Sequence, residues 1–230
     1  MDVVIFDLNG TLVDSERAHW MAYKDVLAAY GIDFKFEEFS EDWTRHGHSL
    51  DFTLQKHGCA HLLNMANQLK EQKDSVFREK LSERIVLMSG AYKAVSSLAS
   101  KYVLTVDSTS AKEDVVKILR LFQIEDFFKM IASSDMPWDK EKWGRSAKSS
   151  RFKYIADSFH IQPSHCLIVG DAEKDAKAAK EAGMSVIIVP TETTRHNDFS
   201  LADLVLPSLA HLTPDVARSV LANRIMAAET

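Results

Sequence analysis

The sequence is short of the features that mark several classes of protein. Its 2 cysteines, Cys59 and Cys166, are too few and too far apart for a disulfide framework or a zinc knuckle, and both are expected to be reduced thiols. No apolar run approaches the roughly 18 to 20 residues of a membrane span. The start is an acidic residue and then a short apolar run ending at Asp7, without the basic opening or the length of a signal peptide. Positive charge is not in excess either: 28 Lys and Arg against 33 Asp and Glu give a formal charge of -5, and the cations are spread along the chain. A nucleic-acid backbone is therefore not an expected partner. No internal repeat or low-complexity tract interrupts the chain. With 46% apolar and 27% charged residues over 230 positions, the composition is globular and long enough for one well-buried core with a smaller second unit. The expectation is a soluble, cytoplasmic protein that spans no membrane, with its oligomeric state left open.

What is present is an alternation. Short β-branched runs recur at Val3 to Leu8, Tyr102 to Asp107, Met130 to Ser133, Cys166 to Gly170, Ser185 to Pro190 and Asp203 to Leu206. Most are apolar on both parities, as in strands of a parallel sheet covered on both faces. Amphipathic helical patterns separate them at Ala91 to Ser100, Ala111 to Phe122, Phe152 to Phe159 and Glu173 to Ala182. The fold class expected is α/β, a doubly wound parallel sheet. Between about Glu16 and Val86 only helical periodicity appears (His19 to Tyr30, Leu50 to Lys56, Cys59 to Leu81), which predicts a helical insertion after the first strand. Re-entry is expected at Ser89-Gly90, and a terminal helix starts with Thr213 as N-cap and Pro214 at the first helical position. Ser134 to Ser149, with Trp138 and Trp143, is an unpatterned stretch longer than most connections.

In an open α/β sheet the ligand site lies beyond the carboxyl ends of the strands. Polar residues gather there: Asp7 to Asp14 after the first strand, Asp107-Ser108-Thr109-Ser110 after the Tyr102 strand, and Gly170 to Asp175 after the Cys166 strand. Asp7 and Asp171, with Asp175 a turn further on, would crowd carboxylates that repel one another. A hard divalent cation relieves this, and oxygen donors in a site that also holds phosphate favour Mg²⁺. Ser108 or Thr109 and the free amides at the following helix start could hold phosphate oxygens. A plainer reading is open at each position: Asp7 can cap a turn with Gly10, Ser108 can be a helix N-cap, and Asp175 can cap or pair on its own helix.

Asp7-Leu8-Asn9-Gly10-Thr11-Leu12-Val13-Asp14-Ser15 resembles the first motif of the haloacid dehalogenase superfamily, DxDGTLxDS. Ser108 resembles its second motif, and Gly170 to Asp175 its fourth, GDxxxD. The inserted helices resemble the subgroup with a helical cap, which includes phosphoglycolate phosphatase and β-phosphoglucomutase. The resemblance implies a Rossmann-like core over 1–15 and 88–230 and an all-α cap over 16–87. It also implies Mg²⁺-dependent hydrolysis of a small phosphorylated metabolite through an aspartyl-phosphate on Asp7, the metal held by Asp7, the Asn9 carbonyl, Asp171 and Asp175. Phosphate would be held by Ser108, Thr109 and a third-motif lysine. Lys148 matches that lysine best, with Lys140 and Lys142 as alternatives, because the form KPxPD is absent. Thr44 to Ser49 resembles the loop that faces substrate, which makes Arg45, His46 and His48 candidate specificity contacts.

One departure stands out. Where the phosphatases have an aspartate that serves as general acid and base, this chain has Asn9. An amide hydrogen-bonds but carries no titratable proton in the useful range. Slow turnover is expected, and engineering, a good leaving group or loss of catalysis each accommodates the change. Two other readings remain: a 2-haloacid dehalogenase, which needs no acid there, and a catalytically impaired relative that binds a phospholigand. Asp107, an acid beside the expected phosphate pocket, has no role at this level. A dehydrogenase is disfavoured, since no GxGxxG follows the first strand.

Overall fold

The computed structural model describes residues 1–136 and 147–228. Trp138, Lys140, Lys142 and Trp143 lie outside the described residues. The strands are β1 (Val3–Asp7), β2 (Val13–Asp14), β3 (Val86–Leu87), β4 (Val103–Asp107), β5 (Phe128–Ala132), β6 (Cys166–Gly170), β7 (Ser185–Ile188) and β8 (Leu204–Val205). Six of them form one parallel sheet in the order β5-β4-β1-β6-β7-β8, while β2 and β3 pair as a short ribbon.

The order turns on β1. β4 and β5 lie to one side of it and β6 to β8 to the other, which places a topological switch point at the carboxyl end of β1. Every residue of β1 and β6 is buried, the pattern of strands covered on both faces. Ile5, Ile168 and Val186 pack with Phe152, Ile155, Ala176 and Ala179 from the helices Ala147–Ser158 and Glu173–Glu181. Each buried aliphatic side chain of this kind contributes roughly 1.5–3 kcal/mol. That packing fixes the two helices that carry the site's polar residues. Cys166 belongs to the same core, where burial, with Asp2 nearby, pushes its thiol up to about 12 and leaves it inert.

The chain divides into two compact units, Met1–Val13 with Leu87–Thr230, and Asp14–Val86. The second unit is helical. Its main helices are Glu16–Ala28, Leu50–Lys56 and Ala66–Glu79, around a core of Leu27, Phe34, Leu50, Leu54 and Leu69. Trp43 lies 5.4 Å from Phe39 and 5.6 Å from Phe34 between ring centroids, and its indole N–H donates to Thr53 Oγ1 at 2.7 Å. The aromatic cluster gives this unit a core of its own.

Some boundaries moved. The helix expected from Phe152 begins at Ala147, so Lys148 stands in its first turn and not ahead of it. The strand expected at Met130 starts at Phe128. Residues Phe39–Arg45 form a π-helical segment that takes in Thr44 and Arg45, the first two residues of the loop expected at Thr44 to Ser49. No helix among the described residues is long and apolar enough to cross a membrane.

Candidate active site

Parallel pairing brings the strand ends together. In the β1–β4 register Asp7 stands opposite Asp107, and in the β1–β6 register Phe6 stands opposite Val169, two residues before Asp171. Asp7, Asp107, Asp171 and Asp175 are all buried. A pocket of about 390 Å³ opens beside Asp7, lined also by Asn9, Thr109, Lys148, Arg151 and Lys174 among others.

Glycine makes the approach possible. Gly10 has φ +82°, and a Cβ there would lie 2.7 Å from the Asp171 carboxylate, so the loop after β1 presses on Asp171 only because no side chain intervenes. Thr11 Oγ1 donates to Asp171 Oδ1 at 3.4 Å. No ion-pair partner of Asp171 is present among the described residues. Burial, reinforced by the Asp175 and Asp7 charges, holds its carboxyl well above the usual range.

Asp7 has a cation. Lys148 Nζ donates to Asp7 Oδ1 at 2.6 Å and also pairs with Asp175. Burial nevertheless pushes Asp7 up to about 6, with Lys148 opposing and Asp175 and Asp107 adding to the rise. Burial acts to lower Lys148, but the Asp7, Asp175 and Asp107 carboxylates outweigh it and keep the ammonium charged. Asp175 goes the other way: burial would raise it, and Lys148 together with backbone donors holds it below the ordinary range. Its Oδ2 accepts the amides of Asp171 and Ala172, each at 3.0 Å. Both carboxylate oxygens of Asp175, expected as a metal ligand, thus face protein donors.

Ser108 is buried, and its Oγ accepts the Ser110 amide at 3.1 Å, a turn-capping bond. Thr109 lines the pocket. Arg45 and His48 belong to the helical unit, where Arg45 pairs with Glu41 at 3.1 Å and His48 stacks on Phe52 at 3.9 Å. His46 also meets Glu41, at 3.1 Å. Sequence reasoning missed Arg151, which binds both oxygens of Asp107. Its signal was spacing, since a residue three after Lys148 shares its helical face. Lys174 was missed as a lining residue. In the helical unit no signal in the sequence singled out His19. His19 stacks on Phe77 at 4.1 Å and is lowered to about 4, by burial first and then by Lys73.

Buried carboxylates and a lysine converging at the switch point of a doubly wound sheet define an α/β enzyme core built to manage negative charge. The chain belongs to the haloacid dehalogenase-like hydrolases, whose family profile matches residues 4–189. It is 28% identical over 218 residues to a probable pseudouridine-5'-phosphatase of Drosophila melanogaster, covering 92% of this chain and 91% of that protein. It is 26% identical over 189 residues to a phosphoglycolate phosphatase of Aquifex aeolicus, with 80% and 82% covered. The solved structure of CbbY from Rhodobacter sphaeroides in complex with phosphate superposes with a TM-score of 0.73 at 22% identity, over 95% of this chain and 99% of that one. At that identity the likeness is one of fold.

Proposed function

We propose that this protein is a metal-dependent phosphomonoester hydrolase for a small phosphorylated metabolite, with Asp7 as nucleophile and turnover slowed by Asn9. The observation that carries the reading is the pairing of Asp7, held by Lys148, with Asp171, a buried carboxylate without an ion-pair partner among the described residues. Relatives named as phosphatases of pseudouridine 5'-phosphate and phosphoglycolate favour a phosphate ester as substrate. The helical unit, inserted between β2 and β3, would then be the cap domain.

The donor set fits Mg²⁺. Carboxylates of Asp7 and Asp171 and the backbone carbonyl of Asn9 are hard oxygens, and the raised Asp171 marks a place where added positive charge stabilises the site. Asp175, with its oxygens on Lys148 and two amides, fits better as the brace for that lysine and for the loop after β6. When bound, the metal neutralises charge on the transferring phosphoryl group.

The chain's own residues do the rest. A carboxylate oxygen of Asp7 attacks phosphorus, the bond from phosphorus to the leaving oxygen breaks, and the electron pair departs with that oxygen. Lys148 offsets the charge of nucleophile and phosphate together, while Thr109 and Ser108 can donate to phosphate oxygens. Asn9 can steady the leaving oxygen by a hydrogen bond but gives it no proton, so that proton must come from water. In the second step water attacks the aspartyl-phosphate, phosphate leaves, and Asp7 is regenerated. Asn9 thus slows both halves, and where the loss of the general base in hydrolysis outweighs the loss of the acid in the first step, the phosphorylated form accumulates.

Asn9 also suits a protein that binds a phospholigand without turning it over. Asn9→Asp separates the two. A gain of at least about tenfold in phosphatase activity over a panel of phosphorylated metabolites supports the enzyme, since general acid–base catalysis is typically worth 10² to 10⁴. No gain supports the binding role. Haloacid dehalogenation, which uses no metal, requires that EDTA leave activity intact; the proposal requires that EDTA abolish it.

A further inference from the structure

One buried charged pair has no task in the mechanism above. Asp107 closes β4 as the register partner of Asp7 and is fully buried. A lone carboxylate at that depth would repel phosphate and compete for the nearest cation, and Lys148 Nζ is 3.9 Å from its Oδ2. Arg151 meets that demand: Nη2 donates to Asp107 Oδ2 at 3.0 Å, and Nε engages the other oxygen. Arg151 is itself buried. It follows Lys148 by three residues on the helix Ala147–Ser158, so one helical turn presents two cations to two adjacent strand ends.

The geometry points to Asp107 and Arg151 as positioning residues for Lys148. An ammonium is a compact charge with no fixed direction and moves toward whichever carboxylate is unsatisfied; a guanidinium fork takes both oxygens of one carboxylate in a fixed plane. By saturating Asp107, Arg151 leaves Lys148 to Asp7 and Asp175. It also ties the helix carrying Lys148 to the end of β4. Neither Asp107 nor Arg151 takes part in bond making. The inference rests on the role proposed for Asp7 and Lys148.

The test uses the full chain in four forms: parent, Arg151→Gln, Arg151→Lys, and the uncharged double variant Asp107→Asn with Arg151→Gln. Each is assayed on the best substrate of the metabolite panel, per folded molecule, and crystallised. Arg151→Gln is expected to lower kcat about 10- to 100-fold with KM changed less than about threefold, the cost of a misplaced group, and to show Lys148 Nζ drawn from Asp7 toward Asp107. Arg151→Lys, which keeps charge but not the fork, is expected to fall between. The double variant, in which nothing at position 107 competes, should return kcat to within about threefold of the parent and Lys148 to Asp7. If Arg151→Gln does not fold, the comparison of Arg151→Lys with the double variant decides the same question. A rise in KM without rescue would make Arg151 a substrate contact and overturn the inference. So would lowered thermal stability with unchanged kcat, or Lys148 staying on Asp7 in both single variants. A displaced lysine in a protein whose parent turns nothing over would leave the positioning intact and sink the phosphohydrolase reading instead.

Discussion

The two units of this chain keep their charge in different places. In the α/β unit Asp7, Asp107, Asp171 and Asp175 are buried at three neighbouring strand ends, with Lys148 and Arg151 set among them. In the helical unit the ion pairs ring the surface: Arg45 with Glu41, Lys56 with Glu38 and Asp42, Lys80 and Arg84 with Asp25. Its interior is mainly aromatic and aliphatic, with Lys73 buried beside Asp74. Burying charge costs several kcal/mol per ion even when paired, and apolar replacements of such pairs are often as stable. An interior that retains four carboxylates is therefore better explained by chemistry than by stability, and the helical unit shows what the same chain builds where no such chemistry is needed.

The contrast breaks first at the aromatic cluster. Phe34→Ala removes a fully buried ring from the helical core, and a loss of about 3–5 kcal/mol is expected, seen as an early transition in denaturant unfolding followed by tryptophan fluorescence. Mg²⁺ should act on the other unit. The raised folded values of Asp7, about 6, and of Asp171 mean that the metal-free fold holds their protons more tightly than the unfolded chain does. Their stabilisation is present below the ordinary carboxylate range; the part due to Asp7 is lost as pH rises through about 6, and the part due to Asp171 as pH rises through its own raised value. A divalent cation binds the ionised pair, so thermal stabilisation by Mg²⁺ at a hundredfold excess over its Kd should approach about 2.7 kcal/mol at pH 7.5 and shrink at pH 5. An equal shift at both values would count against a carboxylate metal site. His19 has the opposite sign: lowered to about 4, it costs the helical unit stability as pH falls below the ordinary histidine range. Glu41→Gln removes an exposed partner of Arg45 and should leave the melting temperature unchanged, which sharpens the contrast with any buried carboxylate.

Much of the α/β unit was legible because its determinants are local. Apolar runs on both parities announced the strands, whereas the close approach of Gly10 and Gly170 to carboxylates became visible only in the structure. A Cβ on Gly170 would sit 2.5 Å from Asp175 Oδ2. Asp107 was visible but unexplained, because its partner lies 44 residues away and comes close only through tertiary packing. The start of the helix Ala147–Ser158 was missed for a related reason. Ser149, Ser150 and Arg151 show no apolar periodicity, yet all three are buried, and the turn is fixed by contacts at the strand ends. Specificity residues were the least legible: Arg45 and His48 were singled out by resemblance, and in the structure their recorded partners are Glu41 and Phe52.

In the proposed reaction a phosphoryl group passes through Asp7. Acid quenching during turnover of a reactive phosphate ester with Mg²⁺, followed by peptide mass spectrometry, tests it directly. One phosphoryl group is expected on the peptide containing Asp7, accumulating because Asn9 slows its hydrolysis, lost with EDTA and absent in Asp7→Asn. Steady turnover with that peptide unmodified, or turnover that survives Asp7→Asn, would contradict it.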